Sequence, residues 1–126
     1  MKEISWIELN DKIIQFNIGE DFNVRWDLFK LWENHKDNLS KPYKFSFVHT
    51  HPFEHKPFLS SKDSNAIKTI NAFLGHKRFY FLIVGEKKTL VSTDVNSYYI
   101  DGKNGDSITI VGAYNIGIAV NPDNYE

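Results

Sequence analysis

The sequence predicts an α/β fold of the mixed α+β kind, in which helices flank one mixed β-sheet. Three observations lead there. Short segments of alternating or continuous apolar character recur along the chain. Two longer segments carry apolar residues at helical spacing. The order is strand, strand, helix, strand, loop, helix, strand, strand and further short strands, which suits a sheet with helices packed on it.

At 126 residues the chain is one domain, and with 41% apolar and 15% aromatic residues it can bury a core. A formal net charge of -1 gives no electrostatic case for nucleic acid or an anionic membrane. The absence of cysteine removes disulfides, thiolate nucleophiles and Cys-based zinc sites, so any transition-metal site must use His, Asp, Glu and water. No apolar run approaches the roughly 20 residues of a membrane helix. "MKEISWIELN" has no signal-peptide core, so a cytoplasmic protein is expected.

"EISWIEL" (3–9) and "KIIQFNIG" (12–19) flank an Asn-Asp pair and read as a hairpin. "WDLFKLWENHKD" (26–37) sets Leu28, Phe29, Trp32 and His35 at helical spacing, and "LSKP" breaks that helix. "YKFSFVHTH" (43–51) alternates, with Phe45, Phe47, His49 and His51 on one face, and Pro52 ends it. After a loop (53–61), "SKDSNAIKTINAFLG" (61–75) reads as a helix capped by Gly75. "RFYFLIVG" (78–85) suits a strand buried on both faces, and "EKK" turns into "TLVSTD" (89–94). "SYYID", "DSITIVGA" and "IGIAV" read as short strands in a β-rich tail, residues 96–126.

The segment "VHTHPFEHKPFLSSKD" (48–63) carries the chemistry. On a strand, His49 and His51 point the same way, roughly 6–7 Å apart at the base. Two neutral imidazoles so placed can converge on one ion. They are equally compatible with an aromatic strand bearing two structural histidines. Asp63 has two readings as well. With Ser60 it forms a near capping box, Ser60 as N-cap and Asp63 three residues on. It also shares the helical stripe of Ile67, Ile70 and Leu74, which turns it toward the sheet. An inward carboxylate needs a partner, and a cation shared with two histidines supplies one. Glu54 and His55, on the loop, are alternative ligands of lower rank.

His49-x-His51-Pro52, seven residues, then Ser60-x-x-Asp63 resembles the JAMM (MPN+) metalloprotease motif, H-x-H-P-x(n)-S-x-x-D. The order of elements over residues 1–95 is also similar to that family, while the tail from 96 on has no counterpart. The resemblance implies an MPN/JAB-like mixed sheet, similar to the cytidine-deaminase-like architecture. It implies Zn2+ held by His49, His51 and Asp63 with water in the fourth position, a glutamate on an early strand as general base, and Ser60 helping to stabilise an oxyanion. Glu3, opening the first strand, matches that glutamate best, with Glu8 in reserve. Glu20 and Glu33 match less well. Ser5 and Trp6 stand where the family carries a glycine, and with only Met1 and Lys2 ahead of Glu3 the family's preceding helix is not read here.

The implied activity is hydrolysis of an amide or isopeptide bond in a protein or peptide substrate, after a ubiquitin-like C-terminal tail. That tail would be held by strand addition along a sheet edge and the loop 53–59. The alternative is a non-catalytic MPN-like module that binds metal or a partner protein. Zinc nucleobase deaminases need a cysteine pair, and the H-x-H barrels need roughly 200 residues or more. A cupin using His49, His51 and Glu54 would need strands where 61–74 reads as helix.

Overall fold

The computed structural model describes residues 3–20, 24–39, 41, 43–51, 54–75, 79–93 and 97–101. Among these residues are six strands and two helices: β1 (Ile4–Leu9), β2 (Lys12–Ile18), α1 (Leu28–Leu39), β3 (Phe45–Thr50), α2 (Ser61–Leu74), β4 (Phe79–Val84), β5 (Thr89–Ser92) and β6 (Ser97–Ile100). One sheet runs in the order β2-β1-β3-β4-β5-β6. β3 and β4 are parallel, and every other pair is antiparallel. The fold is thus the expected mixed α/β arrangement, with α2 as the crossover that a parallel pair requires.

The β1–β2 turn is Asn10-Asp11, both at positive φ (49° and 69°), residue types that tolerate the left-handed region and so suit a two-residue hairpin. Asn10 Oδ1 accepts from Lys44 N at 3.1 Å, which ties this turn to the approach to β3. α1 starts at an Asp27 cap, whose Oδ1 accepts from Lys30 N at 2.9 Å. α2 ends at Gly75 with φ 70°, as its C-cap position demands. α2 also excludes the cupin reading, because residues 61–74 are helical.

Two clusters pack the two faces of the sheet. Ile7, Phe45, Phe47, Phe81 and Ile83 meet Leu31 and Leu39 of α1 and Ile70 and Leu74 of α2. Ile4, Trp6, Phe16, Val48, Leu82, Val84 and Val91 form the other. The central strand β3 is buried along its whole length, as is β4 apart from Tyr80. The stripe of α2 is the expected one, with Asp63, Ile70 and Leu74 buried and Ile67 packed at its margin.

The phase of α1 differs from expectation. Leu31 and Leu39 face the sheet, while Phe29 and Trp32 are 69% and 48% exposed. These two rings stack on each other at 6.4 Å, and Lys36 covers Trp32 at 5.4 Å, so they form their own surface cluster. Two overlapping stripes satisfied the helical period, and the leucine stripe took the core. The helix is also kinked at His35 (φ -135°, ψ 21°).

Among the tail strands, "SYYI" forms β6 on β5. The expected strands at "DSITIVGA" and "IGIAV" lie outside the described residues. No helix among the described residues is long and apolar enough to cross a membrane.

Gly85 follows β4 where loop 54–57 crosses it. A Cβ there would lie 2.5 Å from Glu54 O, 2.6 Å from Pro57 Cδ and 2.9 Å from Lys88 O. Two of these contacts are backbone, so neither can swing aside. Gly85→Ala is therefore expected to destabilise the fold by about 1–3 kcal/mol, measured by denaturant unfolding.

Candidate metal centre

Residue 49 pairs with Ser5 of β1 on one side and with Ile83 of β4 on the other, so His49 stands in the middle of the sheet. Its ring sits edge-on to Trp26 (5.4 Å) and Phe81 (5.3 Å) and is 5% exposed. His51 lies just past the strand end, where its N–H donates to Val84 O at 2.9 Å and prolongs the ladder by one residue. Period two brings both imidazoles to the face that carries the helices, with His49 Nε2 and His51 Nε2 3.2 Å apart.

Asp63 serves the cap and the site at once, because it has two oxygens. Oδ2 accepts from Ser60 N and Ser60 Oγ, both at 2.8 Å, and Asp63 N donates back to Ser60 Oγ at 3.2 Å. Oδ1 turns to His49 Nε2 at 2.9 Å. His51 Nε2 is 3.9 Å from Oδ2. The capping box holds the carboxylate on the side where the histidines are.

Glu3 is no frayed terminal acid. Its N–H donates to Glu20 O at 2.8 Å and its carbonyl accepts from Gly19 N at 2.9 Å. The side chain lies over the cleft, with Oε1 3.9 Å from His51 Nε2. Glu8, the reserve candidate, sits on the opposite face, buried against Trp6, whose Nε1 donates to it at 2.7 Å. Five residues along a strand reverse the face, so of the two acids only Glu3 lies on the side of the histidines. Glu20 and Glu33 are exposed and lie outside the cleft.

Glu3, His49, His51, Ser60 and Asp63 line one cleft of about 520 Å³, with Trp26 and Arg25 on one wall and Asn65, Ala66 and Ile70 of α2 on the other. The alternative ligands do not join. His55 faces Glu86 at 3.6 Å in an exposed pair. Glu54 approaches His51 from the Nδ1 side at 2.6 Å, away from the point where the Nε2 atoms meet. Trp26 was not legible as a site residue. Its Nε1 donates to Trp6 O at 3.0 Å, and its ring stacks edge-on against Phe47, Phe81 and His49. The only hint was a large aromatic directly before the Asp27 cap.

The donors suit a small divalent ion. Bonds of about 2.0–2.1 Å to a tetrahedral zinc put its ligand atoms about 3.3 Å from one another. Here His49 Nε2 lies 2.9 Å from Asp63 Oδ1 and 3.2 Å from His51 Nε2, while His51 Nε2 lies 3.9 Å from the other carboxylate oxygen, Oδ2. Among the described residues, His49, His51 and Asp63 form the one His/Asp/Glu group whose ligand atoms all lie within 4.8 Å of one another. Among the described residues His49 Nδ1 is buried with no acceptor, and His51 Nδ1 makes no aligned hydrogen bond although Glu54 Oε2 approaches it to 2.6 Å.

Electrostatics favour the ligating forms. Burial pushes the His49 ring down against the opposing pull of Asp63, which keeps it neutral near pH 7. Burial alone would raise the Asp63 carboxyl. The hydrogen bond and charge of His49 and the donors of Ser60 overcome this and hold it at about 2, from an ordinary 3.8. Burial pushes Glu3 up, reinforced by Asp63 and Glu54 and opposed by His51.

The depressed Asp63 has a consequence for the metal-free protein. A carboxylate lowered on folding contributes stability that is present in full above the unfolded value. That stability is lost as pH falls from about 4 through about 2. We expect a loss of about 2 kcal/mol across that window, measured by denaturant unfolding, and a flatter profile in Asp63→Asn.

No protein-family model, curated protein or solved structure matches this chain. The family resemblance of residues 49–63 therefore stands on the motif, and the site on its own geometry.

Proposed function

We propose that the chain is a zinc-dependent metallopeptidase of the JAMM type, with an MPN/JAB-like domain, that hydrolyses an amide or isopeptide bond. The observation that carries this reading is the convergence, in one cleft, of a three-donor group with a separate carboxylate, Glu3, that is not part of it. Three protein donors leave a position open, which is the pattern of catalytic rather than structural zinc.

When bound, zinc supplies Lewis-acid chemistry, acidifying water and polarising a carbonyl. The chain's own groups do the rest. Glu3 accepts a proton from the water that adds to the carbonyl carbon, and returns it to the departing amine as the C–N bond breaks. The products are a carboxylate and an amine. Ser60 Oγ–H, which donates to Asp63 here, stands at the edge of the cleft where it can turn to the developing oxyanion. Trp26 and residues of α2 wall the cleft.

The carbonyls of Glu54, His55 and Pro57 are already taken by Glu86 N, by Lys87 N and Lys88 N, and by Tyr99 Oη. An extended ubiquitin-like tail would thus run between residues 24–28 and α2, and not along loop 54–59. One observation favours the non-catalytic alternative: where the family carries glycine, Trp6 is fully buried in the second core and Ser5 Oγ is tied to Arg25 O.

The test joins metal analysis to cleavage. One zinc per chain is expected on purification, together with cleavage of at least one ubiquitin-like fusion in a panel, lost on chelation and restored by zinc. Zinc without cleavage across isopeptide and peptide substrates would favour the binding module. Absence of any divalent metal would end the reading.

A further inference from the structure

Building on the zinc reading, we propose that Glu54 is a positioning residue that fixes the tautomer and ring orientation of His51 and so presents its Nε2 lone pair to the metal. The carboxylate Oε2 stands 2.6 Å from His51 Nδ1, at ion-pair distance though not aligned as a hydrogen bond in the metal-free structure. A carboxylate there favours a proton on Nδ1, which leaves Nε2 as the free donor. Carboxylates behind ligating histidines raise the basicity of the ligand and lock its ring. Glu54 is on the correct side for that role and on the wrong side for ligation.

The arrangement is built by the backbone. Glu54 N–H donates to His51 O at 3.1 Å, which folds the chain back across the ring. Glu54 O accepts from Glu86 N at 2.7 Å, and His55 O accepts from Lys88 N at 3.0 Å. Gly85 lets this crossing close, with no room for a side chain. The loop is thus anchored on the β4–β5 turn, independently of the carboxylate. Glu54 Oε1 is buried with no hydrogen-bond partner among the described residues, which is costly for an acid free to reach solvent. Held there, the carboxylate lies against the imidazole of His51. Among the described residues the two histidines then differ: Nδ1 of His51 has a carboxylate beside it, whereas no ion pair is made at Nδ1 of His49.

Two readouts test this. Long-range proton–nitrogen NMR correlations on the metal-free protein near neutral pH are expected to show His51 as the Nδ1–H tautomer, moving toward Nε2–H in Glu54→Gln. Competition with a chelator is expected to show zinc bound roughly 10–100-fold more weakly by Glu54→Gln and Glu54→Ala, with Glu54→Asp recovering part of the loss. Glutamine keeps the size of the side chain and every backbone bond, so unfolding of the metal-free variant should match wild type. An Nε2–H tautomer in wild type, or zinc affinity in Glu54→Gln within twofold of wild type, overturns the proposal while leaving the metal centre standing. A wild-type protein that takes no zinc overturns both the zinc reading and this one, whatever the tautomer.

Discussion

Glu3→Gln is expected to keep its zinc and to lose about 100- to 10,000-fold in the rate of amide hydrolysis. Glutamine fills the same space and leaves the backbone bonds of residue 3 to Gly19 and Glu20 intact, so β1 keeps its register. What it removes is a carboxylate that can take a proton. The side chain is not among the three donors, so metal content should not follow the rate. The measurement is paired: zinc per chain by mass spectrometry, and initial rate on a cleavable fusion. A variant that cleaves as fast as wild type would move the base elsewhere. One that loses zinc and rate together would make Glu3 a ligand.

The second large effect is on the metal itself. His49→Ala and Asp63→Asn are each expected to weaken zinc binding by more than about 100-fold, because altering even the outer partners of metal ligands costs 10- to 100-fold. Asparagine at 63 retains an oxygen for the Ser60 N–H and Oγ–H, so α2 should still be capped, and the loss can be read as coordination and not as unfolding. His49→Ala leaves a hole between Trp26 and Phe81 and should cost stability as well. Circular dichroism on both variants separates the two effects. Full retention of zinc by both would remove the basis of the proposed chemistry.

The parts of the site legible in the sequence are those set by local periodicity. His49 and His51 share a face because a strand repeats every two residues, and "YKFSFVHTH" is long enough to reveal it. Asp63 was legible twice, as the third residue of a capped helix and as a member of its apolar stripe, and the structure uses it in both ways. Glu3 and Glu8 look alike in the sequence, and only pairing with β3 shows which face each presents. The phase of α1 was ambiguous because Leu31, Trp32, Phe29 and Leu28 fit two stripes, and packing chose between them. The role of Glu54 depends on where a loop is anchored, and that anchor is a turn some thirty residues away whose only sequence mark is Gly85.

The centre is assembled from pieces with very different separations along the chain. Its three donors come from residues 49–63, a strand end and the helix turn that follows. Glu3 is brought to them by the β1–β3 pairing, sealed by a bond from Ile4 N to Thr50 Oγ1 that spans 46 residues. Closing so wide a loop is entropically harder than completing the nearby turn. During refolding, ion capture is therefore expected to come before catalytic competence, with the acid the last part to arrive.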